Sequence, residues 1–343
     1  MRPIDAGPEP RAKVSLADVA RRAGTSHSAA SRAINGRVGV REPLRQAVLL
    51  AAAELGYVPN SSARNLVMRR TGLIALVFAE PSAVLGTTFF SELVASIVTT
   101  LDEADYRTVL LLPDDHRRKS LGDVVRPEAF DGALVIGQRS EHGLARRFVQ
   151  NGVPTVILGR PMDGLDVSFA DIANVDAAVV ATTHLIAGGS RHPALLAGPQ
   201  DTSWGVDRVE GFAKAVAEAS GPGAEPAIEV CAYAPDGGYE AMRRLLAAAP
   251  DLDGLLVSSE SFLPGALTAL AEAGRRVPAD VAVVSFDDGP RLAFASPPIT
   301  AVRQPLAELG AELARLMLAA VEKPSMRINV NLSASMEVRA SSR

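Results

Sequence analysis

From residue 73 onward the sequence alternates short apolar runs with amphipathic stretches, and few architectures accommodate that alternation. The runs at 73–78, 108–112, 132–136, 155–158, 194–197, 227–230, 254–257 and 281–285 read as buried strands. Between them, 89–104, 176–187, 207–219, 238–248 and 265–272 place apolar residues at helical spacing. Strand–helix alternation implies parallel sheets covered by helices on both faces. So many units exceed one small sheet, which predicts two doubly wound parallel-sheet subdomains. Ligands of such folds bind beyond the C-terminal ends of the strands.

The 343 residues suit two or three domains. Hydrophobic residues make up 48% and aromatics only 4%, so the cores must be built from Ala, Val and Leu. A single cysteine, Cys231, excludes a disulfide framework and a multi-cysteine zinc site. No apolar run reaches the roughly 18 residues of a membrane span. The opening MRPIDAGPEPRAK lacks the apolar segment of a secretory signal, so a cytoplasmic protein with no membrane partner is expected. The net charge of −4 averages two unlike parts. Residues 1–72 hold 12 basic and 5 acidic side chains, a net of +7; the remainder holds 23 and 34, a net of −11. A basic segment on an acidic body suits a polyanionic partner, although a solvated basic face gives the same sum.

Residues 1–13, with three prolines and no periodicity, read as a tail. Ser15 can cap a helix bearing Leu16, Val19, Ala20 and Ala23 on one face, with Asp18 in its first turn. Gly24-Thr25 breaks it, and Ser26 caps a second helix from His27 to about Ile34. Two short helices joined by a glycine-containing turn make a helix-turn-helix. A third helix, 42–55, has Pro43 in its first turn and a stripe of Leu44, Ala47, Val48, Ala51, Ala52 and Leu55.

Leu16-Ala17-Asp18-Val19-Ala20, Ala23-Gly24-Thr25-Ser26, Ser31-Arg32-Ala33-Ile34-Asn35 and Glu54-Leu55-Gly56-Tyr57-Val58-Pro59-Asn60 resemble the lactose-repressor (LacI/GalR) family of bacterial transcription factors. The resemblance implies a three-helix DNA-binding head at 14–59, with His27, Ser28 and Arg32 facing base edges. Arg32 can pair bidentately with guanine or serve as a phosphate clamp. Ser26, Ser31 and Asn35 suit phosphates, which fix register. Arg41 stands where the family tends to have a capping serine, and makes a poorer cap.

Residues 60–71 begin NSSARNLVMRR and resemble the family's hinge helix, which forms over the minor groove. That resemblance places Asn60, Ala63 and Leu66 at the groove, with Leu66 as an apolar wedge. A flexible linker with an exposed leucine is the alternative.

The resemblance continues through Thr183-His184-Leu185, Arg208-Val209-Glu210-Gly211-Phe212, Ser285-Phe286-Asp287-Asp288 and Pro297-Pro298-Ile299-Thr300-Ala301-Val302-Arg303-Gln304. It implies an effector domain similar to periplasmic sugar-binding proteins, with one subdomain at 72–172 and 299–324 and the other at 173–298 and 325–343. By carry-over Arg208 and Asp287 contact the effector, or else bridge the subdomains. Trp204, the only tryptophan, stacks on a ring or packs as a core residue. Phe89 and Phe90 match an aromatic pair of which one ring faces the pocket. Gln304, Ser259 and Glu260 complete the candidates. Ser259-Glu260, Ala173-Asn174 and Gly159 depart from the family's commoner polar residues, which implies an altered ligand or a core that no longer responds to one.

No phosphate-binding glycine loop, nucleophile elbow or histidine metal spacing is present, so neither catalysis nor a cofactor is expected. A transported-solute receptor would have no use for the basic head. The expectation is a homodimeric repressor of operator DNA, controlled by a sugar or related metabolite.

Overall fold

A computed structural model describes residues 14–34, 39–57, 70–79, 87–113, 121–137, 139, 143–221, 225–232 and 236–342. Two compact units divide the chain, residues 1–70 and 71–343.

In the first unit, α1 (Leu16–Arg22) begins with a reciprocal cap. The Asp18 amide donates to Ser15 Oγ, while the Ser15 hydroxyl and amide both donate to the Asp18 carboxylate and hold it below the usual aspartate range. The Ala29 amide donates to Ser26 Oγ at the start of α2 (His27–Ile34). Helix α3 (Glu42–Leu55) starts from Arg41 without a side-chain cap and ends on Gly56 at φ +65°. The core is small: Val19, Ala20, Ala30, Ala33, Val48 and Ala51. Ala47, expected in the buried stripe of α3, is exposed instead, because Val48 and Ala51 already fill the contact with α1 and α2.

The second unit holds two six-stranded sheets. The first lobe has β1 (Leu73–Phe78), β2 (Arg107–Leu111), β3 (Gly132–Ile136), β4 (Thr155–Leu158), β5 (Ser168–Ile172) and β11 (Asn329–Leu332) in the order β11-β5-β4-β3-β1-β2, all parallel. The second has β6 (Pro193–Ala197), β7 (Ala227–Val230), β8 (Gly254–Val257), β9 (Ala282–Phe286), β10 (Thr300–Arg303) and β12 (Ser335–Glu337) in the order β12-β10-β9-β8-β6-β7, with only β12 antiparallel. Period-two alternation explains why both faces are covered. Ile74, Leu76 and Phe78 join one core with α4 (Thr88–Glu103) and α12 (Leu306–Glu322), while Ala75 and Val77 join another. Short helices α5 (Leu121–Val124) and α6 (Leu144–Gln150) lie on that second core. In the second lobe α7 (Asn174–Ala187) and α8 (Ser203–Ser220) cover one face; α9 (Gly237–Ala248), α10 (Leu263–Glu272) and the short α11 (Pro290–Ala293) cover the other.

The chain crosses between lobes after β5, after β10 and after β11. The last two crossings differ from the expected subdomain limits. Thr300–Arg303 pairs with β9, so it belongs to the second lobe, and Asn329–Leu332 pairs with β5 in the first. Which sheet a strand joins is decided by pairing with partners far away in the chain, and a four-residue run carries no mark of that. Among the described residues, no helix is long and apolar enough to cross a membrane.

Candidate functional site

The first unit presents one polar helix face. His27, Ser28 and Arg32 of α2 are exposed, and at about 100° per residue they span one side of the helix. Ala30 and Ala33, on the other side, are buried. Ser26 is exposed at the helix start, its hydroxyl occupied as a cap, and Ser31 is half-buried. Asn35, Asn60, Ala63 and Leu66 lie outside the described residues.

The second unit contains a cleft of about 1230 Å³, counted to its open mouth, at the C-terminal ends of strands from both sheets. From the first lobe, Phe78, Phe89, Arg160 and Asp171 line it; from the second, Trp204, Arg208, Ser259, Glu260 and Asp287, with Gln304 where the chain crosses over. Thr87 caps α4 by accepting from the Phe90 amide, and consecutive helical residues point about 100° apart, so the two neighbouring rings diverge. Phe89 faces the cleft. Phe90 instead packs on Phe78, centroids 4.8 Å apart, so the aromatic pair divides between cleft and core.

Trp204 lies in the first turn of α8, one turn before Arg208, and not in a loop; the helix starts at Ser203, earlier than its apolar periodicity suggests. Thr202 caps it, its hydroxyl accepting from the Gly205 amide. Residues i and i+4 share a helix face, so the indole and the guanidinium meet, 4.9 Å apart. The indole rests over Gly198, where an added Cβ would run into its ring. One side of Trp204 packs on the second-lobe core and another lines the cleft, so it is a rim residue as well as a cleft residue.

Arg208 is 4% exposed. Its Nε donates to Asn174 Oδ1 at 2.9 Å, its Nη1 to the Ser258 carbonyl, and its plane covers Phe286 at 3.9 Å. Asn174 Nδ2 in turn donates to Asp171 Oδ1 at 3.0 Å. Burial pushes the Asp171 carboxyl up, against the Arg160 and Ile172 amides that bond its charged form. Asp287, at φ +69°, accepts from Gln304 and, at 3.3 Å, from Ser259 Oγ. Burial and then neighbouring Asp287 raise the Glu260 carboxyl, opposed by the amides of Thr88 and Gly289.

Besides the Asn174–Asp171 bond, two ion pairs bridge the lobes, Arg139 with Asp201 at 2.5 Å and Arg160 with Asp207 at 2.6 Å, and Glu260 lies near Thr88 at the start of α4. All eight effector candidates except Phe90 line the cleft. Sequence reasoning named Asn174 only within a departing pair and missed Asp171, Arg139, Arg160 and Asp201, which become neighbours only through the crossing after β5 and the sheet ends.

Behind the cleft's working side, Asp288 turns away into a different cluster. It accepts from Arg303 at 2.7 Å and from Arg339 at 2.6 Å, with its own side chain 2% exposed.

Comparison with known proteins agrees with this arrangement. The family pattern described as bacterial regulatory proteins, lacI family, matches residues 15–60, and that of the periplasmic binding protein-like domain matches 182–342. The transcriptional regulator CelR of Thermobifida fusca is 38% identical over 316 residues, 90% of this chain and 92% of the relative. The solved CelR–cellobiose complex superposes with a TM-score of 0.75 at 35% identity, covering 96% of this chain and 99% of that one. A lac repressor dimer bound to operator and the anti-inducer ONPF shares the fold, with a TM-score of 0.80 at 24% identity over 96% and 99% of the two chains. With its helix-turn-helix head, its two-lobed cleft and these relatives, the chain belongs to the lacI family of bacterial regulatory proteins, sequence-specific DNA-binding regulators of transcription governed by a small molecule.

Proposed function

We propose that this protein is a homodimeric repressor whose effector is a short β-linked glucose oligosaccharide of the cellobiose type. The observation that carries the ligand class is the cleft itself. Aromatic faces from opposite lobes, Phe89 and Trp204, flank a floor of Asp171, Asn174, Arg208, Asp287 and Gln304. Sugar rings offer apolar faces for stacking and equatorial hydroxyls for paired hydrogen bonds, and both needs are met here. The cellobiose bound to the relative CelR supports this choice within the sugars.

On DNA, His27, Ser28 and Arg32 read bases, with Arg32 bidentate to a guanine. Ser26, Ser31 and Asn35 hold phosphates, and Asn60, Ala63 and Leu66 sit at the minor groove between two half-sites. The effector acts through its different affinity for open and closed lobes, and that difference is the coupling to the operator. The test is a cellobiose titration of the full chain, read by the fluorescence of Trp204 and by operator affinity. Saturable quenching together with a change in operator affinity is expected. A flat titration with cellobiose and its longer homologues would remove the reading.

A further inference from the structure

We propose that Glu260 is the end wall of the effector cleft and that the cavity behind it is a second sugar subsite, so that this one side chain sets the effector's length. The inference rests on the oligosaccharide reading above. The second cavity is about 900 Å³, counted to its mouth. It shares four lining residues with the cleft: Phe89, Glu260, Asp287 and Gln304. Side chains that line two cavities are the partition between them.

Three parts of that partition are tied down. Phe89 packs on the first-lobe core, and Gln304 and Asp287 bond each other. Glu260 alone spans the gap between the lobes: the Gly289 position lies against both its Oε2 and Thr88 Oγ1 of the other lobe, and the Thr88 and Gly289 amides favour its charged form. The slot is cut to that carboxylate: a Cβ on Gly289 would run into Glu260 Oε2, and its φ of −69° is open to any residue, so the fit and not the backbone asks for glycine. Removing the side chain would join the two spaces.

The far cavity suits a neutral polyol. Four carboxylates line it (Glu92, Glu260, Asp287 and Asp288) against two guanidiniums, Arg303 and Arg339, and both of these already pair with Asp288. An anion would meet excess negative charge there. A sugar would meet acceptors in Glu92 and Asp287 and a donor in Arg303, whose side chain is half exposed.

The experiment uses the full chain with cellobiose and cellotriose, by calorimetry, and operator binding without sugar as the control for folding. Wild type is expected to favour cellobiose. Glu260→Ala should raise the cellotriose-to-cellobiose affinity ratio by about tenfold, and Glu260→Asp, which shortens the wall by one methylene, by about threefold. Glu92→Ala, at the exposed lip of the far cavity, should lower cellotriose affinity in the Glu260→Ala background and leave cellobiose unchanged. Sugar binding with a ratio unmoved in both Glu260 variants overturns the end wall while the oligosaccharide reading stands. Failure of the wild type to bind either sugar overturns both.

Discussion

The head and the body place their functional side chains in opposite environments. His27, Ser28 and Arg32 stand exposed on a helix held by a core of six small residues. Arg208 and Asp171 are buried at 4% and 6% exposure, inside a lobed unit with four hydrophobic cores. An exposed side chain reads its partner and contributes little to the fold. A buried charge must be hydrogen-bonded by the protein before any ligand arrives, so it serves fold and function together. Stability and function should therefore separate in the head and move together in the body.

The largest expected effect is at Arg208. Arg208→Ala strands Asn174 Oδ1 and the Ser258 carbonyl and uncovers Phe286, a loss of about 3 kcal/mol in unfolding free energy. The effector response should vanish with it, while operator binding without effector persists. Thermal melting and operator titration of the same sample check both. A retained response at reduced stability would break the comparison, leaving Arg208 as scaffold only.

Asp288, held by two arginines, tests the buried charge with no effector present. Burial alone would raise its carboxyl, yet the bonds from Arg339 and Arg303 outweigh burial and hold it below 3.8. A lowered carboxyl stabilises the fold above its unfolded value, and that contribution is lost as pH falls through the folded value. Asp288→Asn should cost about 3 kcal/mol at neutral pH. The melting curves of variant and wild type should then converge on acidification below pH 3.8. Parallel curves down to the acid limit would mean that the charge of Asp288 contributes nothing.

In the head, Arg32→Ala should cost about 2 kcal/mol of operator affinity and relax preference at one base pair, with an unchanged melting temperature. Equal losses on operator and random DNA would make Arg32 a phosphate contact, and a fall in melting temperature would erase the contrast with the body.

The same contrast explains what could be read from the residues. The head's signals are local: Ser15 and Asp18 cap each other three residues apart, and Gly56 ends α3 directly after Leu55. The fully buried strands Gly132–Ile136 and Gly254–Val257 announce themselves as unbroken apolar runs. Two first-lobe strands do not. Ser168–Ile172, inside the sheet between β4 and β11, contains Asp171, and Asn329–Leu332 at the edge alternates polar with apolar and pairs on one side only. The site suffered most, since Arg208 finds Asn174 across 34 positions and Arg160 finds Asp207 across 47. Residue type marked Arg208 and Asp287 as candidates through a family resemblance; only the crossing after β5 reveals that Asp171 and Asn174 share their floor.

The smallest effect sharpens the boundary between the two behaviours. Arg160 belongs to the body but is half exposed, with 48% of its side chain open to solvent, and it meets Asp207 of the other lobe. If exposure governs, Arg160→Ala should act as surface charges do, changing stability by about 0.5 kcal/mol and effector affinity by about twofold. Because screening weakens exposed pairs, wild type and variant should become indistinguishable in about 1 M salt, where the Debye length falls to about 3 Å. A tenfold loss that survives high salt would instead mean that Arg160 touches the sugar directly. Exposure in the apo cleft would then fail to predict burial in the complex, and the contrast between head and body would hold only until the lobes close.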